Sequence, residues 1–215
     1  MAEHILNKDK KIKIYGLYRS NKYKKILENQ FKRRITFYKV DLNNFLKTQK
    51  IINKIKPDLV FNLASNADVR KSFDYPYEFI QNNHNSTLNL LESIRKCNLK
   101  SLFIHCSTSE VYGTVSKKEI PIKEDQKMKP VSPYAVSKAF QDLLSQLYHE
   151  VYGLNIIITR MFTYNNPRRL NLFQSAFASQ IVEIEKGKKK ILSHGNLNSI
   201  RSFLDLNDGM EAYWA

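Results

Sequence analysis

The chain has 215 residues, enough for one large or two small domains with a buried core. It is 42% hydrophobic and 26% charged, with a mean hydropathy of −0.46, which excludes an intrinsically disordered chain. No run approaches the roughly 18 apolar residues of a membrane span, and the N-terminal stretch has no secretory core, so the sequence predicts a cytoplasmic protein. The net charge of +15 is spread in short clusters such as Lys8–Lys13, Lys22–Lys25 and Lys188–Lys190. No basic arm, zinc-finger spacing or aromatic RNA-binding motif accompanies them. They read as a solvated surface rather than a nucleic-acid groove, and an anionic small-molecule substrate fits the same charge. Cys97 and Cys106 stand alone and the five histidines are scattered, so no metal site is expected.

In chain order, Ala2–Lys8 reads as the tail of a helix. Short strands follow at Ile12–Leu17 and Ile35–Val40, rich in β-branched and aromatic residues. Stronger ones lie at Leu59–Leu63, Leu102–Cys106 and Asn155–Arg160, whose near-continuous apolar character is that of strands buried on both faces of a parallel sheet. Helical patterns intervene at about Leu42–Ile55, Tyr77–Cys97, Ser132–Val151 and Leu172–Lys186. In the third, Val136, Ala139, Phe140, Leu143, Leu144 and Leu147 form one apolar stripe. The chain stops at Ala212–Ala215, within a further helical pattern. Alternating strands and helices predict an α/β fold, a doubly wound parallel sheet of the Rossmann type. Such a fold opens with an apolar strand and a Gly-rich turn, and neither precedes the strand at Ile12–Leu17. Strand one is central in that order, so two sheet halves without a joining ladder are expected.

The chemistry gathers in two segments. Ser132-Pro133-Tyr134-Ala135-Val136-Ser137-Lys138 starts a helix, with Ser132 as N-cap and Pro133 in the first turn. Tyr134 and Lys138, four apart, project from one face. A phenol ordinarily ionises near pH 10, and a neighbouring ammonium favours its phenolate, so Tyr134 can act as an acid or base near neutrality. The second segment, Cys106-Ser107-Thr108-Ser109-Glu110-Val111-Tyr112-Gly113, leaves the carboxyl end of a strand, where open α/β sheets bind ligands.

Together these segments resemble the extended short-chain dehydrogenase/reductases of the NAD-dependent epimerase/dehydratase kind. Thr108-Ser109-Glu110-Val111-Tyr112-Gly113, the Ser-Pro-Tyr helix start, Asn166-Pro167-Arg168-Arg169 and Gly195-Asn196-Leu197-Asn198-Ser199-Ile200-Arg201 are similar to the GDP-mannose 4,6-dehydratases. The resemblance implies a lyase that dehydrates a nucleotide sugar to its 4-keto-6-deoxy form, with bound NADP used and regenerated. It implies that Tyr134 takes the 4-hydroxyl proton and that Lys138 supports Tyr134 and the nicotinamide ribose. Glu110 is implied to remove the C5 proton, and Thr108 to orient the 4-oxygen. For the cofactor it implies Arg19 and Ser20 at the adenosine 2′-phosphate, Asp41 and Leu42 at the adenine, Leu63 and Ala64 along the cofactor, and Arg169 as a further contact. Arg201 is a candidate for the substrate diphosphate. The partners implied are a nucleotide-sugar substrate, GDP-mannose first, and a second copy of the chain in a homo-oligomer; neither nucleic acid nor membrane is implied. Residues 1–162 are expected to form an incomplete dinucleotide-binding domain, and residues 163–215 the start of a substrate-binding region. A sibling epimerase, a 4-keto-sugar reductase or an inactive interaction module would carry many of the same residues; Glu110 speaks against an epimerase.

Overall fold

The computed structural model describes residues 1–21, 24–31, 34–169, 172–198 and 200–215, and for residues 24–26 the backbone only. Lys22 of the second basic cluster and Ser199 of the Gly-Asn-Leu segment lie outside the described residues. The chain divides into two compact units, residues 13–161, and residues 1–12 with 162–215.

In the first unit, β1 (Ile14–Tyr18) pairs in parallel with β2 (Ile35–Lys39). Separately, β3 (Leu59–Asn62), β4 (Leu102–Cys106) and β5 (Asn155–Thr159) form a parallel sheet in that order. The helices are α2 (Lys24–Phe31), α3 (Phe45–Ile55), α4 (Val69–Asp74), α5 (Pro76–Lys96) and α6 (Pro133–Tyr152). This is an α/β, Rossmann-like arrangement of parallel strands and crossover helices, as expected. Among the described residues no strand pairs with the second edge of β1 or of β3. One apolar core nevertheless serves both sheets: Ile51 and Ile52 of α3, Leu90, Leu91 and Ile94 of α5 and Phe103 of β4 are buried, with Leu17 and Tyr38 packed against them. Burying side chains of this size contributes roughly 1.5–3 kcal/mol each, so among the described residues it is α3 and α5 that join the two sheets.

Two expectations fail here. Only β4 is buried along both faces; β5 alternates, with Ile157 about half exposed, because it is an edge of its sheet. The apolar stripe of α6 also points the wrong way. Val136, Phe140, Leu143 and Leu147 are 43%, 40%, 55% and 47% exposed. The buried face is instead Tyr134, Ser137, Lys138, Gln141, Asp142 and Ser145. Of the predicted stripe, Ala139 is buried and Leu144 is partly buried against the core. Ser137, Lys138, Gln141 and Asp142 each find a hydrogen-bond partner on the inside of this helix, which offsets the cost of removing them from water.

In the second unit, α1 (Ala2–Lys8) is the expected helix, tied to the C-terminal residues by Lys8 to Glu211 (2.7 Å) and by a two-pronged pair from Arg168 to Glu3 (2.9 and 3.0 Å). The unit adds β6 (Thr163–Tyr164) paired with β7 (Phe203–Leu204), α7 (Phe173–Glu185) and α8 (Leu206–Trp214). Among the described residues no helix is long and apolar enough to cross a membrane.

Candidate active site

The strand β4 delivers the first group of site residues. Its last residue, Cys106, leads into a 3-10 turn over Ser109–Tyr112, with Thr108 as N-cap and its Oγ1 accepting from the Glu110 amide at 3.3 Å. Thr108 and Glu110 are half-buried, while Val111 and Tyr112 are buried and, with Ala139, tie the turn to α6. Gly113 closes the turn at φ 65° and ψ −143°, a region all but closed to residues with a side chain. A Cβ there would run into the main-chain carbonyl of Lys129, whose amide donates to the Val111 carbonyl (2.9 Å). Gly113→Ala is therefore expected to cost at least about 2 kcal/mol in urea unfolding, well beyond an ordinary turn substitution.

The second group comes from the start of α6. Ser132 Oγ accepts from the Ala135 amide (3.1 Å), and Pro133 follows in the first turn, as the sequence predicts. This cap sets the face on which Tyr134 and Lys138 fall, and both are buried, 9% and 2% exposed. Lys138 Nζ donates to the Cys106 carbonyl at 2.7 Å. That bond brings the two segments together at the carboxyl end of β4. Burial is the largest influence on Lys138 and pushes its ammonium down to about 8, against the pull of the Asp142 carboxylate.

A cavity of about 200 Å³ opens at the carboxyl ends of β1, β2 and β3. It is lined by Arg19, Asp41, Leu42 and Ala64, four of the expected cofactor contacts, and also by Asn43, Asn66 and Asn82. Arg19 Nη1 donates to Asn82 Oδ1 (2.9 Å), and Asn43 Nδ2 reaches the same oxygen (3.1 Å). Ser20 and the exposed Leu63 are not among the lining residues. The volume is below the roughly 300–1,000 Å³ of a whole-ligand pocket, too small for an entire dinucleotide. Arg169 and Arg201 belong to the other unit; Arg169 is half-buried with its amide on the Asn166 carbonyl (3.0 Å), and Arg201 is exposed.

Sequence reasoning missed the buried polar network behind these groups. Asn83 on α5 donates to Ser137 Oγ (2.8 Å) and accepts from the Asn66 amide (2.7 Å). Gln141 donates to the Asn83 carbonyl (2.8 Å), and Asn62 donates to Thr87 (2.8 Å) and lies 3.4 Å from His105 Nδ1. His105 Nε2 lies 3.2 Å from Asp142 Oδ1, off the line of a good hydrogen bond, and Arg160 Nε donates to Asp142 Oδ2 at 2.8 Å. Lone polar residues in apolar strands, Asn62 in β3 and His105 in β4, were the available signal.

The whole chain, residues 1–215, matches the family model described as GDP-mannose 4,6 dehydratase. Among curated relatives, the GDP-mannose 4,6-dehydratase of Vibrio cholerae serotype O1 is 34% identical over 177 residues, 81% of this chain and 47% of the relative. The solved UDP-glucuronic acid 4-epimerase from Bacillus cereus, in complex with UDP-glucuronic acid and NAD, superposes with a TM-score of 0.82 at 28% identity, covering 98% of this chain and 66% of that one. RMD from Pseudomonas aeruginosa, complexed with NADPH, gives 0.79 at 25% identity over 94% and 72%. The chain spans about half the length of the curated relatives it matches.

Proposed function

The chain belongs to the GDP-mannose 4,6 dehydratase family, and from that premise we propose that it serves the redox-neutral dehydration of GDP-mannose to its 4-keto-6-deoxy form with NADP. The supporting observation is the bond from Lys138 to the Cys106 carbonyl, which joins the start of α6 to the segment that carries Thr108 and Glu110. A nicotinamide, when bound, takes up a hydride from the sugar and gives it back later in the same cycle. Tyr134 removes the proton of the 4-hydroxyl, with the Lys138 ammonium favouring the phenolate. Thr108 holds the 4-oxygen. Glu110, on a turn fixed by the Thr108 cap, removes the C5 proton once the neighbouring carbon is a ketone, and assists departure of the C6 hydroxyl as water. The protein is read as cytoplasmic. The outward apolar stripe of α6 supports self-association, since burying it against a second copy removes about 25 cal/mol per Å² of apolar surface from water.

The test is a chimera in which flanking segments of the Vibrio cholerae relative precede and follow residues 1–215. Given GDP-mannose and NADP, it should release a product lighter by one water, seen by mass spectrometry. A product of unchanged mass and inverted C4 would replace this reading with a 4-epimerase. The cofactor choice rests on Arg19 at the rim of the cavity. In the chimera, Arg19→Ala should weaken NADP by about tenfold or more and leave NAD within about twofold, because a charge-assisted contact to the 2′-phosphate is lost. Equal loss for both cofactors, by calorimetric titration, would remove Arg19 from that role.

A further inference from the structure

Lys138 is an ammonium in an expensive place. It is 2% exposed, and its one hydrogen bond among the described residues runs to a neutral acceptor, the Cys106 carbonyl. Among the described residues no carboxylate pairs with it within 4.0 Å. One helical turn on, along the same buried face of α6, lies Asp142, whose side chain is fully buried. Oδ2 accepts from Arg160 Nε, just past β5, at 2.8 Å, while Oδ1 lies 3.2 Å from His105 Nε2 of β4 without a well-aligned hydrogen bond. Arg160 is fixed in turn by Nη1 donation to Tyr112 Oη (3.0 Å) and to the Glu124 carbonyl (2.7 Å).

The charges in this cluster can be assigned. Burial lowers the His105 imidazole below its ordinary value, so it is neutral at pH 7. Burial pushes Asp142 up, but His105, Ser107 and Arg160 outweigh it and hold the carboxyl below the ordinary aspartate range. One carboxylate thus sits with two cations, Arg160 and Lys138. With Oδ2 held by Arg160 Nε at 2.8 Å, the carboxylate is kept off Lys138 and forms no tight pair with it. It acts instead through space, in a core where charges separated by one helical turn interact more strongly than in water.

We propose that Asp142, held by Arg160 and lying beside His105, is a positioning residue that keeps Lys138 protonated and aimed at the carboxyl end of β4. This rests on the reading of Lys138 as the partner of Tyr134. The arrangement leaves the cluster with an excess of one positive charge, the sign that favours a Tyr134 phenolate. The groups facing Lys138 are Asp142 on α6 and Cys106 and His105 on β4, with Arg160 behind Asp142.

The readout is the protonation of Lys138 itself, followed by carbon-13 NMR of labelled lysine in the purified 215-residue chain. Asp142→Asn, which keeps shape and removes charge, should lower the Lys138 midpoint by about one pH unit or more. Asp142→Glu should recover much of that shift, and Glu92→Gln, a carboxylate facing Arg95 and Tyr148, should leave the midpoint where it is. A folded Asp142→Asn chain with an unmoved Lys138 midpoint overturns the proposal. If Asp142→Asn fails to fold, the unsubstituted chain decides. The carboxyl carbon of Asp142 must then show a step at the pH where Lys138 titrates, and a flat signal there overturns the proposal equally. Absence of GDP-mannose turnover in the chimera would overturn the proposed function and leave a Lys138 shift, if seen, in support of Asp142.

Discussion

In the chimera, Glu110→Gln should slow formation of the 4-keto-6-deoxy sugar by about 10²–10⁴-fold, the usual contribution of a positioned general base. Gln keeps the size and the hydrogen-bonding reach of the side chain but cannot accept the C5 proton. The 3-10 turn should hold its shape, since the turn depends on the Thr108 cap and on Gly113 rather than on the carboxylate. Oxidation at C4 should survive, because Tyr134 and Lys138 sit on a different element, α6, with their own cap at Ser132. Exchange of the C5 hydrogen with deuterated solvent separates the two halves of the reaction. It should vanish in Glu110→Gln and persist in the unsubstituted chimera. Parental product formation by Glu110→Gln would return the C5 step to some other group.

The α6 helix marks where the sequence is legible and where it is not. Its start follows from Ser132 and Pro133, and its end from Gly153, which caps it in the left-handed region at φ 67°. Those are local signals, decided by a few neighbouring backbone groups. Which face turns inward is a tertiary matter. A rule that sends the apolar stripe to the core assumes that the core is apolar, and here the core side of α6 meets Asn83, Thr87, His105 and Arg160. The face of α6 that brings Lys138 to the end of β4 also carries Gln141, Asp142 and Ser145 at successive turns, so the apolar residues are displaced outward. The same reasoning accounts for the lining of the cavity at the ends of β1, β2 and β3. Arg19, Asp41 and Ala64 lie within two residues of the ends of β1, β2 and β3, where the sequence and its family resemblance pointed, whereas Asn82 was not legible, because it reaches the cavity from mid-helix in α5. The two-residue strands β6 and β7 were also illegible, being too short to carry any alternation.

The largest expected effect concerns the dinucleotide. On the proposed function, the cavity at the ends of β1, β2 and β3, with Arg19 among its lining residues, receives the adenosine end of NADP, but a pyrophosphate needs convergent amide donors such as a Gly-rich turn feeding a helix N-terminus. The six glycines of the sequence include no such cluster, Gly16 being the first and Gly113 the next. The 215 residues by themselves should therefore bind NADP about a hundredfold or more weaker than the chimera does, because the phosphates gain no anchor and the nicotinamide is left unplaced. A second comparison locates the missing affinity. Adenosine 2′,5′-bisphosphate carries only the half of NADP that the proposed function assigns to this cavity, so the 215-residue chain should bind it about as well as NADP, within roughly threefold. In the chimera NADP should be favoured strongly over the bisphosphate, because the remaining half then finds its contacts. Calorimetric titration of both ligands into both proteins gives the four affinities needed. If the 215-residue chain held NADP as tightly as the chimera, some segment other than a glycine turn would be anchoring the phosphates. The Arg19–Asn82–Asn43 cluster, already at the cavity, would be the first place to look.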